Sequence, residues 1–425
     1  MIKKFEKKLM NKDAKTLLEN FISLSSLQIL GIVLPLITLP YVIKTLGFDN
    51  YGLIILASSL IAYFQAVTDY SFKITATRDV AVFRESPKKL NLIYSKILMI
   101  KAIFLTISFF FLTVIILLYP PFYKERTVFF LTMPMLLGYA LFPEWFFQGI
   151  EKMKYITILN SSLKIFFTVC VFIFIKNESD YWIYPLLQSV GSIGVGIIAQ
   201  CILIKKYKLK FIWLPVKAIK RSIVSNFPIF VNQSLPTLYN NTSFFLLGIL
   251  TTTSLLGVYD AIKKVVDLSV ALLNIVSRVF FPFLNRRKEA FPRYKTLIFT
   301  LSIGLAFGCV ISYPLVFWYL SITYENALSV LCVLAVGIIG IGMYDIFGMN
   351  YFIIKREDKI VMRTTINSSI LGFILAFPLI YFFGIIGAAF NLTFSRLLMG
   401  GQLFYKWKKY ELKYKNKPQE LIKQY

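Results

Sequence analysis

Residues 97–119 read ILMIKAIFLTISFFFLTVIILLY, 23 residues carrying a single charge, Lys101. An α-helix rises 1.5 Å per residue, so this stretch covers about 35 Å, more than the roughly 30 Å hydrocarbon core of a bilayer. It reads as a membrane-spanning helix. Lys101 lies near one end, where its long side chain is expected to snorkel to the headgroups. Working outward, apolar blocks of the same length recur along the 425-residue chain, which is 57% hydrophobic and 16% charged. Water-soluble domains average about 25% charged residues. The weak, alternating segments of about 10 residues that mark a β-barrel are not seen. The fold class is an all-α polytopic membrane protein.

Twelve spans are expected, at 17–43, 51–75, 97–119, 128–150, 156–176, 182–204, 222–250, 255–283, 297–320, 327–354, 364–383 and 385–405. Lys and Arg sort the connections into two sets that alternate along the chain, 36 in one and 4 in the other. The positive-inside rule puts the basic set, with both termini, in the cytoplasm. The expected organisation is a basic N-terminus (1–16), a six-helix lobe (17–204), a basic linker (205–221), a second six-helix lobe (222–405) and a basic tail (406–425). The start, MIKKFEKKLMNKDAK, leads into a full-length span, so no cleavable signal peptide is expected. Topology and anionic headgroups account for the net charge of +26 without nucleic acid.

Several activities are disfavoured. There is no histidine, which removes the commonest general base and zinc ligand. The four cysteines lie in apolar segments and read as small core residues, not disulfides or a thiolate metal site. No Gly-rich phosphate loop appears. The outer loops are too short to carry a catalytic domain, which disfavours a membrane enzyme of glycan assembly. No metal or cofactor is expected.

The two halves repeat at an offset near 205: Asn20-Phe21 with Asn226-Phe227, Gln28 with Gln233, Gly52 with Gly257, Asp69 with Asn274 and Lys73 with Arg278. Six spans per half give both halves one orientation, a parallel repeat about an axis along the membrane normal. That predicts pseudo-two-fold bundles with a central cavity and alternating access.

Span 8 contains YDAIKKVVDLSVALLNIVSRVFF (259–281), with five charges inside apolar surroundings. At 100° per residue, Asp260, Lys263, Lys264, Asp267, Asn274 and Arg278 share a stripe about 100° wide. Over 18 residues the stripe runs about 27 Å. A central charge facing lipid costs about 2.5–3.5 kcal/mol even on the mildest scale. The stripe therefore faces protein or a watery cavity. Helical i,i+3 and i,i+4 pairing among these residues is the alternative account. Span 2 repeats the theme, with Asp69 and Lys73 at i,i+4 on one face and Arg78 at its cytoplasmic end. Lys73 and Arg278, one per half, suit an anionic group such as a pyrophosphate. Lys164 and Arg396 are further cavity-lining cations, and Asp345 and Glu144 are acids placed for ion coupling. Pro35, Pro40, Pro228 and Pro236 predict bends in spans 1 and 7.

The stretches LTLPYVIKTLGFDNYG (38–52), TATRDVA (75–81), FPEWFFQGIEKMKY (142–155) and NFPIFVNQ with LGVYDAIKK (226–264) resemble the Wzx-type repeat-unit flippases of bacterial polysaccharide synthesis. These belong to the multidrug/oligosaccharidyl-lipid/polysaccharide superfamily. The resemblance implies transport, not catalysis, of an undecaprenyl-diphosphate-linked oligosaccharide from the inner to the outer leaflet of the bacterial cytoplasmic membrane. It implies a cavity lined by helices 1, 2, 7 and 8, H⁺ or Na⁺ as coupling ion, and membrane lipids and polysaccharide polymerase machinery as partners. A multidrug or metabolite exporter of the same superfamily is the rival, but its acidic cation sites fit the slight cationic excess here less well.

Overall fold

The computed structural model describes the backbone of residues 2–415 and the side chains of Ser23, 26–31, 33–231, 233–234, 241–281 and 283–412. Every described element is helical. That follows from the solvent: inside hydrocarbon each backbone N–H and C=O must be paired within the chain, and a helix does this segment by segment. The side chains of Asn20, Phe21, Pro236, the N-terminal basic segment and residues 413–425 lie outside those described.

The chain forms two compact units, 1–237 and 238–425. The first contains α1 (Ile2–Asp69), α2 (Phe72–Phe83), α3 (Pro87–Leu118), α4 (Pro120–Lys124), α5 (Arg126–Thr132), α6 (Met135–Leu141), α7 (Glu144–Gly149), α8 (Met153–Phe174), a 3₁₀ turn (Glu178–Trp182), α9 (Ile183–Lys205) and the start of α10 (Val216–Leu250). The second continues through α11 (Thr253–Arg286), α12 (Phe291–Ile311), α13 (Tyr313–Leu320), α14 (Ala327–Met343), a π-helix (Tyr344–Ile353) and α15 (Asp358–Lys415).

Among the described residues nine helical stretches are long and apolar enough to cross a membrane. Two of them, Ser26–Phe83 and Asp358–Leu412, are each interrupted at a glycine. Gly47 has φ 75°, ψ 165° and Gly384 φ 53°, ψ −127°, backbone conformations closed to residues with a Cβ. These glycines sit where spans 1 and 2, and spans 11 and 12, are expected to part. Pro35 and Pro40 lie within α1, whose non-helical backbone falls instead at Gly47. Expected span 7 falls on α10.

Three expected spans are less regular than periodicity suggests. Span 2 does not run to 75: α1 stops at Asp69, Tyr70 (φ 41°) and Ser71 (φ 58°) are left-handed, and α2 begins at Phe72. Non-glycine residues held there cost about 1–3 kcal/mol each. Compensation comes from Tyr70, which is buried, donates its hydroxyl to the Ile223 carbonyl at 3.0 Å and stacks on Phe230. Span 4 is divided into α5, α6 and α7. Pro134 and Pro143 lack the N–H that would continue the ladder, and Phe142, preceding a proline, is extended (ψ 114°). Span 10 ends in ten residues of π-helix.

Candidate functional site

The charged residues of the spanning segments organise the site in each unit. In the first, α1 ends at Asp69, whose carboxylate accepts a hydrogen bond from the Lys101 ammonium on α3 at 2.9 Å. Lys101 is only 4% exposed. It does not snorkel: the terminus of α1 presents a carboxylate, and pairing replaces water around the ammonium. The helix break also overturns the expected i,i+4 relation of Asp69 and Lys73. Lys73 belongs to α2 and pairs with Glu144 of α7 at 2.9 Å while staying largely exposed. Arg78 is exposed beside Asp79, which also faces Lys96 at 3.7 Å. Lys164 is half-buried on α8 and its ammonium lies over Gly31 of α1, where a Cβ would collide with it. Gln28 is half-buried on α1, and Gln233 is exposed on α10.

The two most distinctive sequence stretches pack on each other. Within TATRDVA, Thr77 donates its hydroxyl to the Trp145 carbonyl at 3.2 Å. Within FPEWFFQG, Gly149 lies so close to α2 that a Cβ would come within 2.6 Å of Val80 and 2.9 Å of the Thr77 carbonyl. Trp145, Phe146 and Phe147 are buried beneath. The α2–α7 corner is thereby held rigid, and it carries the Lys73–Glu144 pair.

In the second unit the polar stripe of α11 is paired along its own helix. Asp260 takes Lys264 at 2.8 Å, and Asp267 takes Lys263. Arg396 of α15, nearly buried, also donates to Asp267 at 3.0 Å. Arg396 reaches this place because α15 runs tight against α14: a Cβ on Gly340 would lie 2.6 Å from the Arg396 carbonyl carbon. Asp260, Lys263, Lys264, Asp267 and Arg396 thus gather three cations on two carboxylates. Asn274 is half-buried farther along α11, and Arg278 is exposed.

Asp345 opens the π-helix and is buried, with its Oδ2 unpartnered in the structure. Asn350, five residues on, donates to the Ser277 hydroxyl and the Tyr294 hydroxyl, each at 2.7 Å, and to the Asp345 carbonyl at 3.1 Å. Ser277 and Arg278 of α11 are the neighbours acting on the Asp345 carboxyl. Sequence reading missed Ser277, Tyr294 and Asn350. Asn350 did carry a signal, as an amide in an apolar span, where polar side chains are rare and need partners.

The profile of a family described as "Polysaccharide biosynthesis protein" matches residues 17–288. A protein of Escherichia coli (strain K12) named "Putative O-antigen transporter" is 28% identical over 399 residues, covering 92% of this chain and 96% of its own. A protein of the same name from Shigella dysenteriae is 26% identical, covering 86% and 93%. The fold is shared with a solved structure titled "Lipid II flippase MurJ, inward closed conformation", with TM-score 0.72 and 16% identity over 92% of this chain and 87% of the other. An inward-facing multidrug resistance MATE family transporter of the MOP superfamily has TM-score 0.60 and 11% identity, covering 92% and 100%. The relatives are named as transporters, and the all-α polytopic architecture is shared with these two solved structures.

Proposed function

The chain belongs to the polysaccharide biosynthesis protein family, and on that premise we propose that it is a flippase carrying undecaprenyl-diphosphate-linked oligosaccharide repeat units from the inner to the outer leaflet of the bacterial cytoplasmic membrane by alternating access. The observation that supports this most is the ionic make-up of the spanning helices. The described ion pairs of α11 and α15 set three cations against two carboxylates, a balance that suits a bound anion. Lys73 and Arg278 keep exposed side chains and can exchange water for phosphate oxygens. Lys73, Arg78, Lys164, Lys263, Lys264, Arg278 and Arg396 are the proposed cationic ligands. The glycan is carried among polar groups such as Gln28, Gln233 and Asn274 while the prenyl tail remains in lipid.

Both termini lie in the cytoplasm in this reading, and the inside-negative potential favours outward movement of anions by about 2.3 kcal/mol per charge per 100 mV. Counter-movement of H⁺ or Na⁺ at Asp345 adds to that drive.

The test is depletion of this protein in its native host, followed by mass spectrometry of extracted lipids and leaflet-resolved labelling. Accumulation of a completed, diphosphate-linked repeat unit on the cytoplasmic side is the expected result. Normal surface glycan with no such lipid, accompanied by drug sensitivity, would replace this reading with an exporter.

A further inference from the structure

The segment that joins α9 to α10 is held along α3. The Lys210 N–H donates to Asn91 Oδ1 at 2.9 Å, and the Ile212 N–H donates to Ser95 Oγ at 2.8 Å. Asn91 and Ser95 are one turn apart on α3, about 6 Å along its axis, and two residues of extended chain cover about 6.7 Å. The arm therefore runs up α3 in register, with two backbone donors satisfied by side chains. Phe211 and Trp213, two apart on the extended arm, share one side of it and line a cavity with residues of α3. Trp213 is 80% exposed. A large exposed aromatic beside an apolar helix is the pattern of the membrane interface, where indole sits at headgroup level.

Behind these aromatics lies a largely apolar cavity of about 540 Å³, lined among others by Leu98, Lys101, Ala102, Leu137, Phe211 and Trp213. Its size falls within the roughly 300–1,000 Å³ of small-molecule pockets. Val216 and Ile219, at the start of α10, also line it. On the adjoining face of the same turns, Lys217, Lys220 and Arg221 line a second hollow with Val224 and Ser225, and no carboxylate is among its lining residues. All three cations are exposed. An apolar slot and a cationic hollow share one helix end, and they match a molecule with an alkyl chain at one end and a phosphate at the other.

We propose that the arm 206–215, the cavity against α3 and α6, and Lys217, Lys220 and Arg221 form a binding site for an anionic phospholipid of the cytoplasmic leaflet. The acyl chain lies in the slot beside Trp213, and the phosphate lies on the three cations. The site's three cations are not among those proposed to hold the transported molecule, although Lys101, the partner of Asp69, lines the slot; the proposal does not depend on what the transported molecule is.

The test uses the full chain in vesicles and the fluorescence of Trp213, taken as the difference between the native protein and Trp213→Phe. Lipids with brominated acyl chains quench a tryptophan they touch. Brominated phosphatidylglycerol is expected to quench this signal at a mole fraction at least about fivefold lower than brominated phosphatidylcholine does, since each headgroup charge adds to the attraction. The variant Lys217→Gln/Lys220→Gln/Arg221→Gln, altered only at exposed positions, should lose that preference and keep the residual quenching. Ala102→Phe, which fills the slot, should lose quenching by both lipids. Equal quenching in the native protein, or a preference that survives in the triple variant, overturns the proposal. So does displacement of brominated phosphatidylglycerol by undecaprenyl phosphate at a much lower mole fraction, which would assign the slot to the glycan carrier.

Discussion

The Arg396 guanidinium donates to the Asp267 carboxylate at 3.0 Å, joining α15 to α11 across 129 positions of sequence. Lys263 reaches the same carboxylate from one turn before it on α11. Asp267 is therefore shared by two cations, and it is the member of the network with most to lose.

Asp267→Asn should destabilise the protein more than Arg396→Met. The first leaves a nearly buried guanidinium without a carboxylate, a change worth about 3–5 kcal/mol. The second leaves Asp267 with Lys263 and partial access to water. Thermal melting in detergent, run as a double-mutant cycle, should give a coupling of about 0.5–3 kcal/mol. Additive effects would mean that the two side chains do not interact in the native state.

The Lys101–Asp69 pair makes a similarly asymmetric prediction. Lys101 is almost entirely buried, whereas the Asp69 side chain is 41% exposed. Asp69→Asn strands a buried ammonium and should cost about 3–5 kcal/mol. Lys101→Met places an unbranched apolar chain in the same space and leaves a carboxylate within reach of water, so it should cost less than about 1.5 kcal/mol. Equal losses in melting temperature would show that Lys101 does reach the headgroups.

Gly47→Ala and Gly384→Ala should each cost about 1–3 kcal/mol through backbone strain. Space is not the cause, because a Cβ on Gly47 would have Glu178 no nearer than 3.9 Å, and one on Gly384 would have Thr251 at 3.9 Å. Both chains should still insert in the membrane with lowered melting temperatures. Unchanged stability would mean that the backbone at these glycines is not left-handed in the membrane.

The fold was legible wherever hydropathy alone decides it. Residues 97–119 read as a span and, but for the capping Tyr119, lie within α3. The i,i+4 spacing of Asp260 with Lys264 and of Lys263 with Asp267 already offered the pairing that the structure shows. Long-range partners were not legible. That Asp69 meets Lys101, that Glu144 meets Lys73 and that Asp267 meets Arg396 depends on which helices pack together. The break at Tyr70–Ser71 had no local signal either. Neither Tyr nor Ser favours left-handed backbone, and the compensating contacts come from Ile223 and Phe230, some 150 residues away. Span 4, by contrast, carried its own breakers in Pro134 and Pro143.

Lys73 should act on transport more than on folding. Its side chain is 62% exposed, and its pair with Glu144 is of the kind worth about 0–1 kcal/mol. Lys73→Gln should therefore leave melting nearly unchanged but reduce flipping at least about tenfold, while Lys73→Arg keeps a cation and retains activity. Glu144→Gln frees the ammonium and should tighten binding of the diphosphate lipid. The measurement is leaflet-resolved transport of a fluorescent diphosphate-linked lipid in vesicles, alongside binding in detergent. Full transport by Lys73→Gln would remove this cation from the proposed site.

Asp345 offers the sharpest test of ion coupling. Its carboxylate is buried at the start of a ten-residue π-helix, and its charged and titratable surroundings are Arg278 and Tyr294. A π-helical turn departs from the regular ladder and recurs at functional sites. If a proton or Na⁺ crosses with each cycle at this carboxylate, Asp345→Asn removes the group that carries it while preserving shape. One pH unit across the membrane is worth about 1.4 kcal/mol per proton, a factor of ten. Native protein in vesicles should shift its steady-state lipid distribution by up to about tenfold per imposed pH unit, or respond similarly to a Na⁺ gradient. Asp345→Asn should respond to neither, while still driven by membrane potential. Because Asn350 ties the same π-helix to α11 and α12 through Ser277 and Tyr294, Asn350→Ala separates structure from coupling: it should lower the melting temperature and leave the gradient response in place. A gradient response unchanged in Asp345→Asn would move ion coupling to another carboxylate, with Glu144 the next to be tested.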